Sequence, residues 1–192
     1  MAVQSVEALI QNSMAAEAAV AWYQSRLGFV CSASDVLTGP ELAALFQWPE
    51  STRLQRWILR LGEETLQIWG WPAGACAPYP DSWGGNDRWF QHICLVTDNL
   101  TAQVEAMAPD RLGVISSAPQ TLPDWNPAAA GIQAFKFKDP DGHPLELLQF
   151  PADKGDPRWH QAEVPSGLPK GFDHSAISIA NTEASLAFYR DV

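Results

Sequence analysis

The sequence has few basic residues and never groups them. Twelve Lys and Arg stand against 22 Asp and Glu, a formal net charge of −10. Nucleic acid and anionic membrane surfaces are therefore poor partners, because both need a basic footprint. Cysteine is scarce as well: Cys31, Cys76 and Cys94 are scattered, with no CxxC pair. An odd, dispersed set suits buried thiols in a reducing compartment, so the expected location is cytoplasmic. No apolar run approaches the ~20 residues needed to span a bilayer. Residues 1–20 lack the basic start and apolar centre of a signal peptide. A GxSxG elbow, a Gly-rich phosphate loop and an HExxH pair are also missing, which removes the chemistries those motifs serve.

What is present is the composition of a globular domain, 46% hydrophobic and 18% charged. The 192 residues make one full domain with room for part of a second. Three segments align without gaps. Val6-Glu7-Ala8-Leu9-Ile10 leads to Val20-Ala21-Trp22-Tyr23, Phe90-Gln91-His92-Ile93-Cys94 to Val104-Glu105-Ala106-Met107, and Phe172-Asp173-His174-Ser175-Ala176 to Leu186-Ala187-Phe188-Tyr189. Each reads as a short strand, a polar turn and an amphipathic helix. Ala16, Val20, Tyr23 and Leu27 fall on one stripe of a 3.6-residue period, with Asn12 or Ser13 as cap and Gly28 as stop. Strands are expected over Phe29–Val36, Leu54–Leu61 and Thr65–Trp69, then around Val114–Ser116, over Gln133–Lys138 and over Pro144–Phe150. The chain thus reads as α+β, two βαβββ units at 5–70 and 88–150, a Pro/Gly-rich bridge over 72–86, a linker over 151–170, and the opening of a further unit at 171–192. Repeats of this length are an architectural signature.

One residue in this frame is out of place. In Pro144-Leu145-Glu146-Leu147-Leu148-Gln149-Phe150, alternation puts Glu146 on the face of Leu148 and Phe150. A carboxylate on an apolar strand is costly unless it is paired or binds a cation.

The DPDGHPLEL hairpin, the FQHICLVTDNL strand-to-helix start and the renewed opening FDHSAISIANTEASLAFYRDV resemble the vicinal oxygen chelate superfamily. This group includes glyoxalase I, bleomycin- and fosfomycin-resistance proteins and type I extradiol dioxygenases. The resemblance implies paired half-barrels with ligands on the first and last strand of each unit. Carried over, these positions are Ala8 and Gln67, and His92 and Glu146. Gln67, His92 and Glu146 are then the implied metal set, for Ni, Zn, Mn or Fe, with Glu146 also the implied catalytic base. Ala8 leaves one position without a donor, which disfavours the two-histidine iron site of the extradiol enzymes. His174 aligns with His92 but stands in the incomplete unit, so it is expected to be idle. His143, after the turn glycine, is expected at the surface.

Nine tryptophans supply aromatic surface. Trp57, Trp69, Phe135, Phe137 and Phe150 are expected to wall a cavity for a small organic ligand. Three functions stay open: a glyoxalase-like, metal-dependent enzyme acting on vicinal oxygens; a metal-free binding protein of the bleomycin-resistance type; or the non-catalytic half of a two-domain protein. The resemblance allows the pocket to form within one chain or across a homodimer.

Overall fold

The computed structural model describes residues 6–72, 75–78, 82–107, 113–161, 165 and 167–191. Parts of the expected bridge over 72–86 and linker over 151–170, and Val192, lie outside them. In the first unit, β1 (Leu9–Ser13), α1 (Ala16–Leu27), β2 (Val30–Leu37), α2 (Pro40–Phe46), β3 (Leu54–Leu61) and β4 (Glu64–Gly70) follow one another. Their strands form a sheet in the order β1-β4-β3-β2, with β1 parallel to β4. The second unit holds β5 (Phe90–Val96), α3 (Leu100–Met107), β6 (Gln120–Thr121), β7 (Gln133–Lys138) and β8 (Pro144–Gln149). Its sheet runs β6-β7-β8-β5 and continues into β9 (Gly171–Ile177), which is followed by α4 (Thr182–Asp191). Among the described residues no helix is long and apolar enough to cross a membrane.

Local chemistry explains most of these elements. The predicted stripe of α1 is buried, and Gly28 ends the helix at φ 72°, a left-handed conformation that glycine adopts without strain. The start differs from expectation: Ala15 occupies the N-cap, and Ser13 instead accepts from the Ala15 N–H at 3.1 Å. Asn99 does cap α3, accepting from the Ala102 N–H at 3.1 Å. Helix α2, opened by Pro40, was not expected. The strand foreseen around 114–116 is reduced to a single bridge between Val114 and Phe137.

One apolar core joins the two units. Leu59, Leu61, Leu66 and Ile68 of the first sheet meet Val20, Tyr23 and Leu27 of α1, and Ile93, Leu95, Phe135, Phe137, Leu145 and Leu147 of the second sheet. Burying each leucine fully is worth about 1.5–3 kcal/mol. The tail is tied to this body. Arg158 pairs with Glu64 at 2.6 Å and donates to the Phe172 carbonyl at 3.1 Å. A Cβ on Gly171 would fall 2.7 Å from Glu64 Oε2, so a larger residue there would displace the carboxylate that pairs with Arg158. From that point β9 runs antiparallel along β5, with Ala176 opposite His92 and His174 opposite Cys94.

Candidate metal centre

Strand register decides which side chains share a face. Glu146 lies opposite Lys136 on β7 and beside Cys94 on β5. His92, two residues before Cys94, and His174, opposite it, therefore belong to the same surface. His92 Nε2 is 2.9 Å from Glu146 Oε2, His174 Nε2 is 3.7 Å from the same oxygen, and the two Nε2 atoms are 3.0 Å apart. The His92 and Glu146 side chains are 6% and 10% exposed, whereas His174 is 41% exposed. The site is thus closed at its base and open along one imidazole.

Protons settle what this cluster can hold. The Nδ1 of His92 faces Gln91 Oε1, and that of His174 lies 2.8 Å from Asp173 Oδ2. Both partners are acceptors, while the Lys136 ammonium also lies 3.4 Å from His92 Nδ1; in the tautomer with the proton on Nδ1, each Nε2 presents a lone pair. Burial acts to raise the Glu146 carboxyl, but His92, with Lys136 and His174, outweighs it and holds the group below the usual range. The hydrogen bond from His174 likewise depresses Asp173, against its partial burial. With the proton of each ring on Nδ1, three acceptor atoms meet with no donor between them, whereas a proton on His92 Nε2 donates to Glu146, the arrangement that lowers its carboxyl. One proton on an imidazole relieves a single contact, whereas one divalent cation satisfies all three. Bonds of about 2.1 Å meeting at right angles span about 3.0 Å, so the observed separations fit a common ion. Gln91 and Asp173 then act as outer hydrogen-bond partners that fix ring orientation. Cys94 is adjacent, but burial, followed by the charge of Glu146, raises its thiol far above neutrality, so it supplies no thiolate.

The other expected site residues lie elsewhere. Gln67 sits in the first sheet beside Ile10, its Oε1 accepting from Trp69 Nε1 at 3.0 Å. Trp69 packs with Phe46 and Trp48, and Trp57 packs against the core from the opposite face of that sheet. Phe135 and Phe137 are core residues, because Lys136, the residue between them, is the one opposite Glu146. Phe150 is on the Glu146 face but four residues along, about 13 Å away, in a small cluster with Cys94 and Leu148. The aromatic wall is thus not assembled around His92 and Glu146. His143 is buried, not exposed, held by Asp139 at 2.9 Å. The histidine that sequence reasoning set aside, His174, is the one that completes the cluster. Its alignment with His92 is the signal that pointed to it.

Comparison with family models finds no match, and none is found among curated proteins. Solved structures are similar in fold. A "putative dioxygenase" from Bacillus subtilis matches all of this chain over 55% of its own, with 13% identity and a TM-score of 0.63. A glyoxalase family protein from Bacillus cereus matches 77% of this chain and 94% of its own, with 7% identity and a TM-score of 0.64. A glyoxylase/bleomycin resistance protein/dioxygenase domain from Frankia matches 78% and 100%, with 15% identity and a TM-score of 0.52. The chain has the α+β fold of these glyoxalase, bleomycin-resistance and dioxygenase proteins, the vicinal oxygen chelate fold.

Proposed function

We propose that His92, His174 and Glu146 bind one divalent metal ion, and that the protein is a metal-dependent enzyme acting on a small organic molecule with vicinal oxygens. The observation that carries this reading is the convergence of two Nε2 lone pairs and a carboxylate oxygen within 2.9–3.7 Å, both Nδ1 atoms being engaged elsewhere. Two imidazoles and one carboxylate with open positions are the donor set of non-haem iron(II) oxygenases. This favours an oxygenase over the glyoxalase type of site that includes Gln67. The likeness to proteins described as dioxygenases supports it at the level of fold.

When bound, such an ion polarises adjacent substrate oxygens and stabilises the negative charge that develops on them. The chain's own residues do the rest. Gln91 and Asp173 hold the rings so that both Nε2 atoms face inward. Glu146 stays ionised, with Oε2 toward the imidazoles and Oε1 at 3.8 Å from the Lys136 ammonium. That oxygen is the group placed to take a substrate proton. A cavity of about 370 Å³ borders His174, lined in part by Ala8, Thr65 and Phe172 but by neither His92 nor Glu146.

The test is anaerobic reconstitution with Fe(II), Mn(II), Ni(II) or Zn(II), elemental analysis of the desalted protein, and oxygen uptake with catechol. Stoichiometric metal that is lost in His92→Ala, Glu146→Gln and His174→Ala is the expected result. Protein that stays metal-free with every ion, or variants that load like the parent, would overturn the reading.

A further inference from the structure

We propose that Lys136 is a positioning residue that biases which nitrogen of His92 carries the ring proton, and that it thereby opposes metal binding; the consequence for metal rests on the site proposed above. His92 Nδ1 is approached by two neighbours with opposite demands. The side-chain oxygen of Gln91 accepts, so it favours a proton on Nδ1. The Lys136 ammonium, 3.4 Å from Nδ1, donates only, so it favours a bare Nδ1 with the proton on Nε2. Register puts the lysine there, because Lys136 lies opposite Glu146 in the pairing of β7 with β8. Its ammonium is also 3.3 Å from Gln91 Oε1 and 3.8 Å from Glu146 Oε1. A donor at that distance fixes the Gln91 amide with its oxygen toward the imidazole.

The two tautomers differ in what Nε2 offers, not in charge. With the proton on Nδ1, Nε2 presents a lone pair to an ion. With the proton on Nε2, the ring donates to Glu146 Oε2 at 2.9 Å, and His174 Nε2, 3.0 Å away, is a second acceptor for the same proton. That form satisfies Glu146 without an ion. Metal binding then requires the proton to move from Nε2 to Nδ1, with Lys136 turning from Nδ1 toward Gln91 Oε1 and Glu146 Oε1. The ring is neutral before and after, so no proton is gained or lost. His174 differs, because its Nδ1 faces Asp173 Oδ2 at 2.8 Å, a carboxylate that only accepts. An ion meets only the competent fraction of the protein, and its apparent affinity falls by that fraction. Gln91 and Lys136 thus act on metal affinity with opposite signs.

Nitrogen NMR of isotope-labelled, metal-free protein tests the tautomer, because a neutral imidazole shows one protonated and one bare nitrogen with distinct shifts. The His92 signals are those lost in His92→Ala. Lys136→Met is expected to move the His92 proton toward Nδ1, and Gln91→Met to move it toward Nε2. Lys136→Arg, which keeps a charged donor, should resemble the parent, and the His174 signals should hold still in all three. Zn(II) titration against a chromophoric chelator reads the consequence: Lys136→Met is expected to bind about tenfold tighter, and Gln91→Met about tenfold or more weaker. A His92 proton that stays in place in Lys136→Met, or moves the same way in both variants, would overturn the proposal. So would tighter Zn(II) binding by Lys136→Met without that movement, since lost charge repulsion alone would then explain it. Protein that binds no Zn(II) while the His92 proton still responds leaves the tautomer control standing and sinks the metal reading instead.

Discussion

His92 Nε2 and His174 Nε2 lie 3.0 Å apart although 82 residues separate them in the chain. The pairing of β5 with β9 brings them together, and each is turned inward by a neighbour in sequence, Gln91 and Asp173. Position and orientation thus have separate causes, which makes them separately testable.

Asp173→Asn keeps the shape of the side chain that orients His174 but removes its charge. Outer partners of metal-bound histidines typically contribute 10–100-fold in affinity, so a loss of about that size is expected. Competition against a chromophoric chelator measures it, and the melting temperature should change little because Asp173 is partly exposed.

Removing residues 171–191 should uncover the β5 edge as well as delete a ligand. Unpaired strand edges invite association between chains. The shortened protein is expected to hold no stoichiometric metal and to shift toward larger species in light scattering. A well-behaved monomer that still loads one ion per chain would count against the role given to β9.

Phe135 and Leu147 separate core from pocket. Leu147→Ala should cost about 2–5 kcal/mol, because the residue is fully buried. Phe135→Leu should lower stability in urea denaturation while leaving metal content and catechol turnover as they were. A selective change in turnover would return Phe135 to the substrate wall, where sequence reasoning had put it.

Tyr23 gives a prediction with a sign. Burial, and then the charge of Asp139, raise its phenol well above the ordinary value of about 10. The folded chain therefore keeps this proton at pH values where the unfolded chain releases it. The stabilisation is complete below about pH 10 and declines as pH rises further. Tyr23→Phe should flatten the alkaline fall in melting temperature. It should also cost about 1–3 kcal/mol at neutral pH by leaving Asp139 and Gln11 short of a partner.

Much of the frame was legible in the sequence because it depends on local rules. The strand-turn-helix repeat, the burial stripe of α1, the Gly28 stop and the isolation of Glu146 each follow from spacing within a few residues. The site was only half legible. Alternation shows that Phe135 and Phe137 share a face, but which face depends on the register of β7 against β8, which no local pattern fixes. The same holds for Gln67, whose alignment with Glu146 is sound along the chain while its sheet belongs to the other unit. His174 depends on a strand pairing that spans most of the second unit, and non-local pairing leaves no periodic trace.

A ribosome releases this chain from its N-terminus, so His92 and Glu146 emerge well before His174. In that interval β5 and β8 can already pair, yet the nascent polypeptide offers an ion two ligands and a bare strand edge. If the three residues hold an ion as proposed, selection among ions would wait until β9 has been translated and paired with β5.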